Sequence, residues 1–171
     1  MSDRHDRSRV DRQTLRGHLV ARLRQLAQDV QRLTAGIDDG GLNAHTVPGA
    51  WSLAELVIHI HRVQQLFESR IEEMRARDCP AFTSYAPEDD AEFADRVARG
   101  PGREAVDAYL ADRERFARQL DALTPADWTR TGRHPTFGVF DVEFLVDYMV
   151  QHESHHVYQL FMRRVPLVRR A

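Results

Sequence analysis

The stretch from Asp141 to Arg164, DVEFLVDYMVQHESHHVYQLFMRR, limits the possible folds more than any other. Phe144, Leu145, Tyr148, Met149, His152, His156 and Leu160 recur every three or four positions, the period of one helix face. His152 and His156 stand four apart inside that stripe, so both imidazoles point into one space. Asp141 is placed to cap the helix start, and Pro166 is expected to mark its end. A helix that buries two histidines must meet a third group that satisfies them.

Three more segments carry the same period. Leu15, Leu19, Leu23, Leu26, Val30 and Leu33 define a first amphipathic helix over about Val10 to Leu33, followed by the turn-rich GIDDGGLNAHTVPGA. The second helix starts at a capping box, with Ser52 as N-cap, Glu55 as its N3 partner and Trp51 stapling against Leu56. Its stripe runs through His59, Ile60, Val63, Leu66, Phe67, Ile71 and Met74 to about Arg77, with His61 off the stripe beside Arg62. The third helix spans about Arg103 to Leu123, carried by Val106, Tyr109, Leu110, Arg113, Phe116 and Leu120. Between the second and third helices, Cys79 to Gly102 is proline-rich and acidic, with a short helix over Asp89 to Ala98. A connection of that length is expected to pack over something. No segment alternates as a strand must, and DWTRTGRHPTFG is read as a polar loop. The expected fold is all-α: a four-helix bundle over residues 11–165 with a long crossover between helices two and three, behind a disordered lead at 1–10.

Composition excludes several roles. A formal charge of −2 and arginines spread over several segments give no support for nucleic acid. No apolar run is long enough to span a membrane, and the polar N-terminus lacks a signal-peptide core. The single cysteine, Cys79, fits a reducing compartment, so a cytoplasmic location is expected.

Buried imidazoles cost desolvation unless their nitrogens are bonded, and three together satisfy each other poorly. A divalent ion takes one nitrogen from each and leaves an open position, the arrangement of catalytic zinc. His59, on the apolar face of another helix, is the third ligand to His152 and His156. Zinc is the first choice of ion; nickel, iron or manganese also accept three histidines with added waters. Glu55, four residues before His59, and Gln159, three after His156, are placed to orient the rings. His134 is placed to cover the open side, and Tyr85 and Tyr109 to serve as proton donors or pocket walls. His152-Glu153-Ser154-His155-His156 also matches H-E-x-x-H. Neither a further histidine ligand nor a downstream acidic ligand follows it, and Glu153 is expected to point off the core, solvated or paired with an arginine.

Three stretches in order, PGAWSLAELVIHI, DWTRTGRHPTFG and HESHHVYQL, resemble the DinB/YfiT-like superfamily of metal-binding four-helix bundles, covering about residues 12–164. The resemblance implies His59, His152 and His156 as ligands, with Gln159 recurrent beside them. The chain departs from it at Gln64, near where the family often carries an acidic residue bordering the pocket, and across 79–102. The resemblance also implies a homodimer and a small-molecule substrate. Its members with assigned roles include transferases and isomerases that use a low-molecular-weight thiol, and proposed metal-dependent hydrolases. Three neutral histidines leave the ion's full charge to acidify a thiol or a water. Thiol transfer to a small electrophile is the leading expectation, because a thiolate needs no general base; it calls for a basic patch from Arg113 or Arg133. The alternatives are a hydrolase, which calls for a carboxylate beside the metal water, and a non-catalytic metal-stabilised dimeric bundle, which calls for a closed shell.

Overall fold

A computed structural model describes residues 3–100 and 102–169, with side chains from Arg12 onward. Among the described residues, six α-helices and one hairpin follow in order: α1 (Asp3–Thr34), α2 (Asp39–Asn43), α3 (Leu53–Ala76), α4 (Ala91–Ala98), α5 (Arg103–Asp121), β1 (Thr131–His134), β2 (Gly138–Asp141) and α6 (Val142–Val168). The long helices α1, α3, α5 and α6 form an all-α four-helix bundle, and α4 belongs to the crossover between α3 and α5. α1 packs against α5 and α6, and α3 packs against the same two. Helices consecutive in the chain, α1 with α3 and α5 with α6, therefore sit diagonally, unlike the adjacent pairs of a simple up-and-down bundle. α1 reaches back to Asp3 through the stretch expected as a disordered lead, whose side chains lie outside the described residues.

The helix starts follow the sequence signals. Ser52 Oγ accepts from Glu55 N at 3.2 Å while Glu55 Oε2 accepts from Ser52 N at 2.6 Å, a complete capping box. Asp141 accepts from Phe144 N at 2.8 Å, and Asp90 caps α4 through Glu92 N and Phe93 N. The end of α6 departs from expectation. Pro166 lies inside the helix, which continues to Val168 with Arg169 N bonded to Val165 O at 3.2 Å. Proline's own φ suits a helix, so one lost rung in the last turns does not stop it.

Two apolar clusters fill the bundle. One takes Leu23, Phe67, Met74, Phe116, Leu120, Leu145 and Met149; the other takes Val30, Leu53, Leu56, Ile60, Val106, Tyr109 and Leu160. At the changeover lies a buried polar knot. Arg113 is 1% exposed, with Nη2 donating to Glu153 Oε2 at 2.5 Å, Nε to Gln64 Oε1 at 2.6 Å and Nη1 to Leu23 O at 3.1 Å. The Tyr109 hydroxyl donates to Glu153 Oε1. Glu153 thus pairs with an arginine as expected, but in the core rather than off it. The knot also shifts the inward register of α6. Leu145, Val146, Met149, Val150 and Glu153 are buried, whereas Phe144 and Tyr148 are 43% and 38% exposed.

A two-stranded antiparallel hairpin replaces part of the expected loop, pairing Thr131 with Asp141 and His134 with Gly138. Strands of four residues are too short for alternation to register in the sequence. The crossover is fastened to this hairpin: Phe82 N donates to Arg133 O at 2.8 Å and Arg133 N to Pro80 O at 2.9 Å. A Cβ on Gly132 would collide with the Phe82 ring, so this close approach needs glycine.

Candidate metal centre

α3 and α6 face each other with His59, His152 and His156 between them. Nε2 of His152 lies 3.4 Å from Nε2 of His59 and 3.1 Å from Nε2 of His156. Ligand nitrogens of all three fall within 4.8 Å of one another, which makes them a group able to hold one metal ion. Three nitrogens about 2.0–2.1 Å from a common ion in tetrahedral geometry are separated by about 3.4 Å. The protonation pattern fits the same ion. His156 Nδ1 is 2.8 Å from Gln159 Oε1 and, donating its hydrogen there, leaves Nε2 as a bare lone pair. The Gln159 amide nitrogen is 3.0 Å from His155 Nε2, which orients the glutamine. No set of protons satisfies three mutually facing nitrogens as a divalent cation does.

Burial depresses the basicity of all three rings. His59 is lowered to about 3 and His152 to about 4, chiefly by desolvation and then by the neighbouring imidazoles; His156 is lowered for the same first reason. Each is therefore neutral at pH 7, the form that ligates metal. His59 sits against Trp51, Tyr85 and Phe93, with ring centroids at 4.9, 6.1 and 6.2 Å. Its Nδ1 is buried without a partner. Glu55 is therefore not the residue that orients it: that carboxylate is committed to the cap and lies 3.5 Å from His45 Nε2.

The centre opens into a cavity of about 490 Å3. Ser84, Tyr85 and Pro87 of the crossover cover one side, so the long connection does pack over the site. His134 and Phe137, on the hairpin and its turn, form another wall with ring centroids 4.9 Å apart. His134 is buried, its Nδ1 accepts from Thr136 N at 3.2 Å, and its basicity is lowered by burial and by Arg70.

Several residues expected at the pocket are elsewhere. Arg113 and Tyr109 belong to the core knot, as does Gln64, which is fully buried. Arg133 holds the crossover through its backbone and does not line the cavity. Glu153 is 1% exposed and held by both Arg113 and Tyr109, so it has no access to a metal-bound water, and the H-E-x-x-H reading fails on those contacts. His61, expected off the stripe, is buried with Nε2 2.7 Å from Asp112 Oδ2, because α4 covers that side of α3. Arg70 was the omission: it lines the cavity three turns beyond His59. Its spacing from Val63 and Phe67 was the available signal, an arginine within the apolar arc of the second helix.

The sequence matches the family model described as the DinB superfamily over residues 22–160. The chain belongs to the DinB superfamily. A curated relative from Geobacillus kaustophilus, named "Putative metal-dependent hydrolase", is 26% identical over 144 residues, covering 82% of this chain and 79% of the relative. Among solved structures, YfiT from Bacillus subtilis, described as "a probable metal-dependent hydrolase with an unusual four-helix bundle topology", superposes with a TM-score of 0.76 at 18% identity. That match covers 89% of this chain and 87% of YfiT, and at that identity it speaks for the fold. As a DinB-superfamily bundle, the chain carries a three-histidine metal-binding site with an adjoining cavity.

Proposed function

We propose that this protein is a metal-dependent hydrolase of a small molecule, with His59, His152 and His156 holding a divalent ion, zinc first. The observation that carries the reading is the convergence of three neutral Nε2 atoms at the wall of an open cavity rather than in a closed shell. The name of the Geobacillus kaustophilus relative supports hydrolysis over transfer. An ion held there supplies a Lewis acid and brings the pKa of a water toward neutrality. The chain's own residues do the rest. Gln159 keeps the His156 proton on Nδ1 and so keeps Nε2 free to ligate. Tyr85, donating to Asp90 at 3.1 Å, and Pro87 shield the site from bulk water on the crossover side. His134, with Nδ1 occupied as an acceptor, presents Nε2–H as a neutral donor from the hairpin side.

Transfer of a low-molecular-weight thiol is the second reading. Among the described residues no aspartate or glutamate lines the cavity, and a pre-formed thiolate needs no carboxylate base. The two separate in one assay, in which zinc-loaded protein is given a panel of small esters and amides with and without added thiol. Hydrolysis without thiol, lost in His59→Ala together with the metal, supports the proposal. Products that form only with thiol and carry its mass overturn it in favour of transfer.

A further inference from the structure

Arg70 is a buried cation without a counter-ion. It is 8% exposed, and among the described residues no carboxylate lies within ion-pair distance of it. Arg113, Arg62, Arg16 and Arg96, with side chains between 1% and 22% exposed, all face an aspartate or glutamate. Arg70 instead lies over the rings of Phe67 and Phe82, at 5.8 and 5.4 Å from their centroids, and donates through Nη2 to Thr83 O at 2.5 Å. Leaving a largely buried charge unpaired is costly, and the guanidinium N–H groups not bonded to Thr83 O are not sealed in the core but remain open on the cavity side.

Its place in the cavity says what completes it. Eleven residues separate His59 from Arg70 on α3, about three turns, so both sit on one face with a rise of about 16 Å between them. A long helical side chain leans toward the helix N-terminus, which carries the guanidinium toward the triad. The wall between is largely aromatic: Phe67 contacts Tyr148 at 6.0 Å and Tyr148 contacts His152 at 6.4 Å, centroid to centroid. Among the described residues none of the lining is acidic, so a ligand bearing a negative charge would complete the pair.

We propose that Arg70 receives the carboxylate of the substrate, an elongated small acid whose apolar body lies along the aromatic wall and whose reactive group reaches the histidines. This rests on the hydrolase reading for the reactive end only. A single planar guanidinium suits a two-point carboxylate, whereas a phosphate dianion ordinarily draws more than one cation.

The test is calorimetric binding of 4-phenylbutyrate and its neutral amide to metal-free protein, where no ion can capture the carboxylate. The acid binds about tenfold or more tighter than the amide, as a charge-assisted pair requires. The preference disappears in Arg70→Gln, which keeps a donor for Thr83 O, and in Arg70→Met, which keeps the packing on the two phenylalanines. Either folded variant decides the matter, and thermal melts establish which is folded. Equal affinity for acid and amide in the unaltered protein overturns the proposal. So does a preference that survives the loss of Arg70, one that appears only with metal bound, or tighter binding of phenyl phosphate than of the acid. No turnover is needed, so a protein that hydrolyses nothing would sink the hydrolase reading and leave this one standing.

Discussion

Glu153 sits between two metal-ligand candidates in sequence and yet belongs to the core. Consecutive helical residues diverge by about 100°, so His152 can face the cavity while Glu153 faces Arg113 on the opposite wall. Breaking such a pair leaves a buried charge uncompensated. Arg113→Met is expected to cost about 3–5 kcal/mol in urea unfolding, and replacing Glu153 with leucine in the same chain recovers much of it. Gln159 works at the same scale by fixing one ring. Gln159→Leu is expected to weaken metal affinity about 10- to 100-fold with little change in the melting of the metal-free protein, as read by competition with a chromophoric chelator. His59 and Gln159 were legible from residue spacing because each lies one or two turns from a landmark on its own helix. Arg113 and Tyr109 were misplaced because their partners come from other helices.

At the level of elements, the crossover is held by Asp90. Its carboxylate accepts from Arg62 Nε at 3.0 Å and from the Tyr85 hydroxyl at 3.1 Å, and it caps α4. Removing it unfastens the lid without touching the bundle core. Asp90→Ala is expected to cost about 1–2 kcal/mol locally, seen as faster proteolytic cleavage between Cys79 and Arg99 while the main unfolding transition moves by a few degrees. Ser52 and Asp141 were readable as caps, since a cap is a contact within three residues. The hairpin was not readable. Four-residue strands carry too few side chains to show a period, and their stability comes from Phe82 packing against Gly132 and the bonds from Pro80 and Phe82 to Arg133.

For the whole molecule, the three imidazoles link metal, protons and folding. In the unfolded chain they titrate near 6.5; in the folded protein His59 falls to about 3 and His152 to about 4. Between those limits the unfolded state binds more protons, so the metal-free protein is most stable above pH 6.5 and loses that contribution as acid is added toward pH 3. Chemical denaturation of metal-free protein from pH 7.5 to 4 should show the decline, and His59→Ala should make it shallower, leaving the part that His152 contributes. Zinc, binding the folded state, should raise the melting temperature at pH 7 in proportion to the logarithm of its concentration, and His152→Ala should abolish the rise. The amino-acid order by itself determined the four long amphipathic helices, the caps at Ser52 and Asp141 and the three ligand positions, because each depends on a short-range period or a contact within one turn. Only the tertiary structure decided that α1 and α3, and α5 and α6, sit diagonally, that Glu153 is locked in the core, and that Arg70 stands unpaired in the cavity. Those outcomes depend on how each helix is rotated against the two it touches, and a rotation of a few tens of degrees exchanges a core partner for a pocket wall.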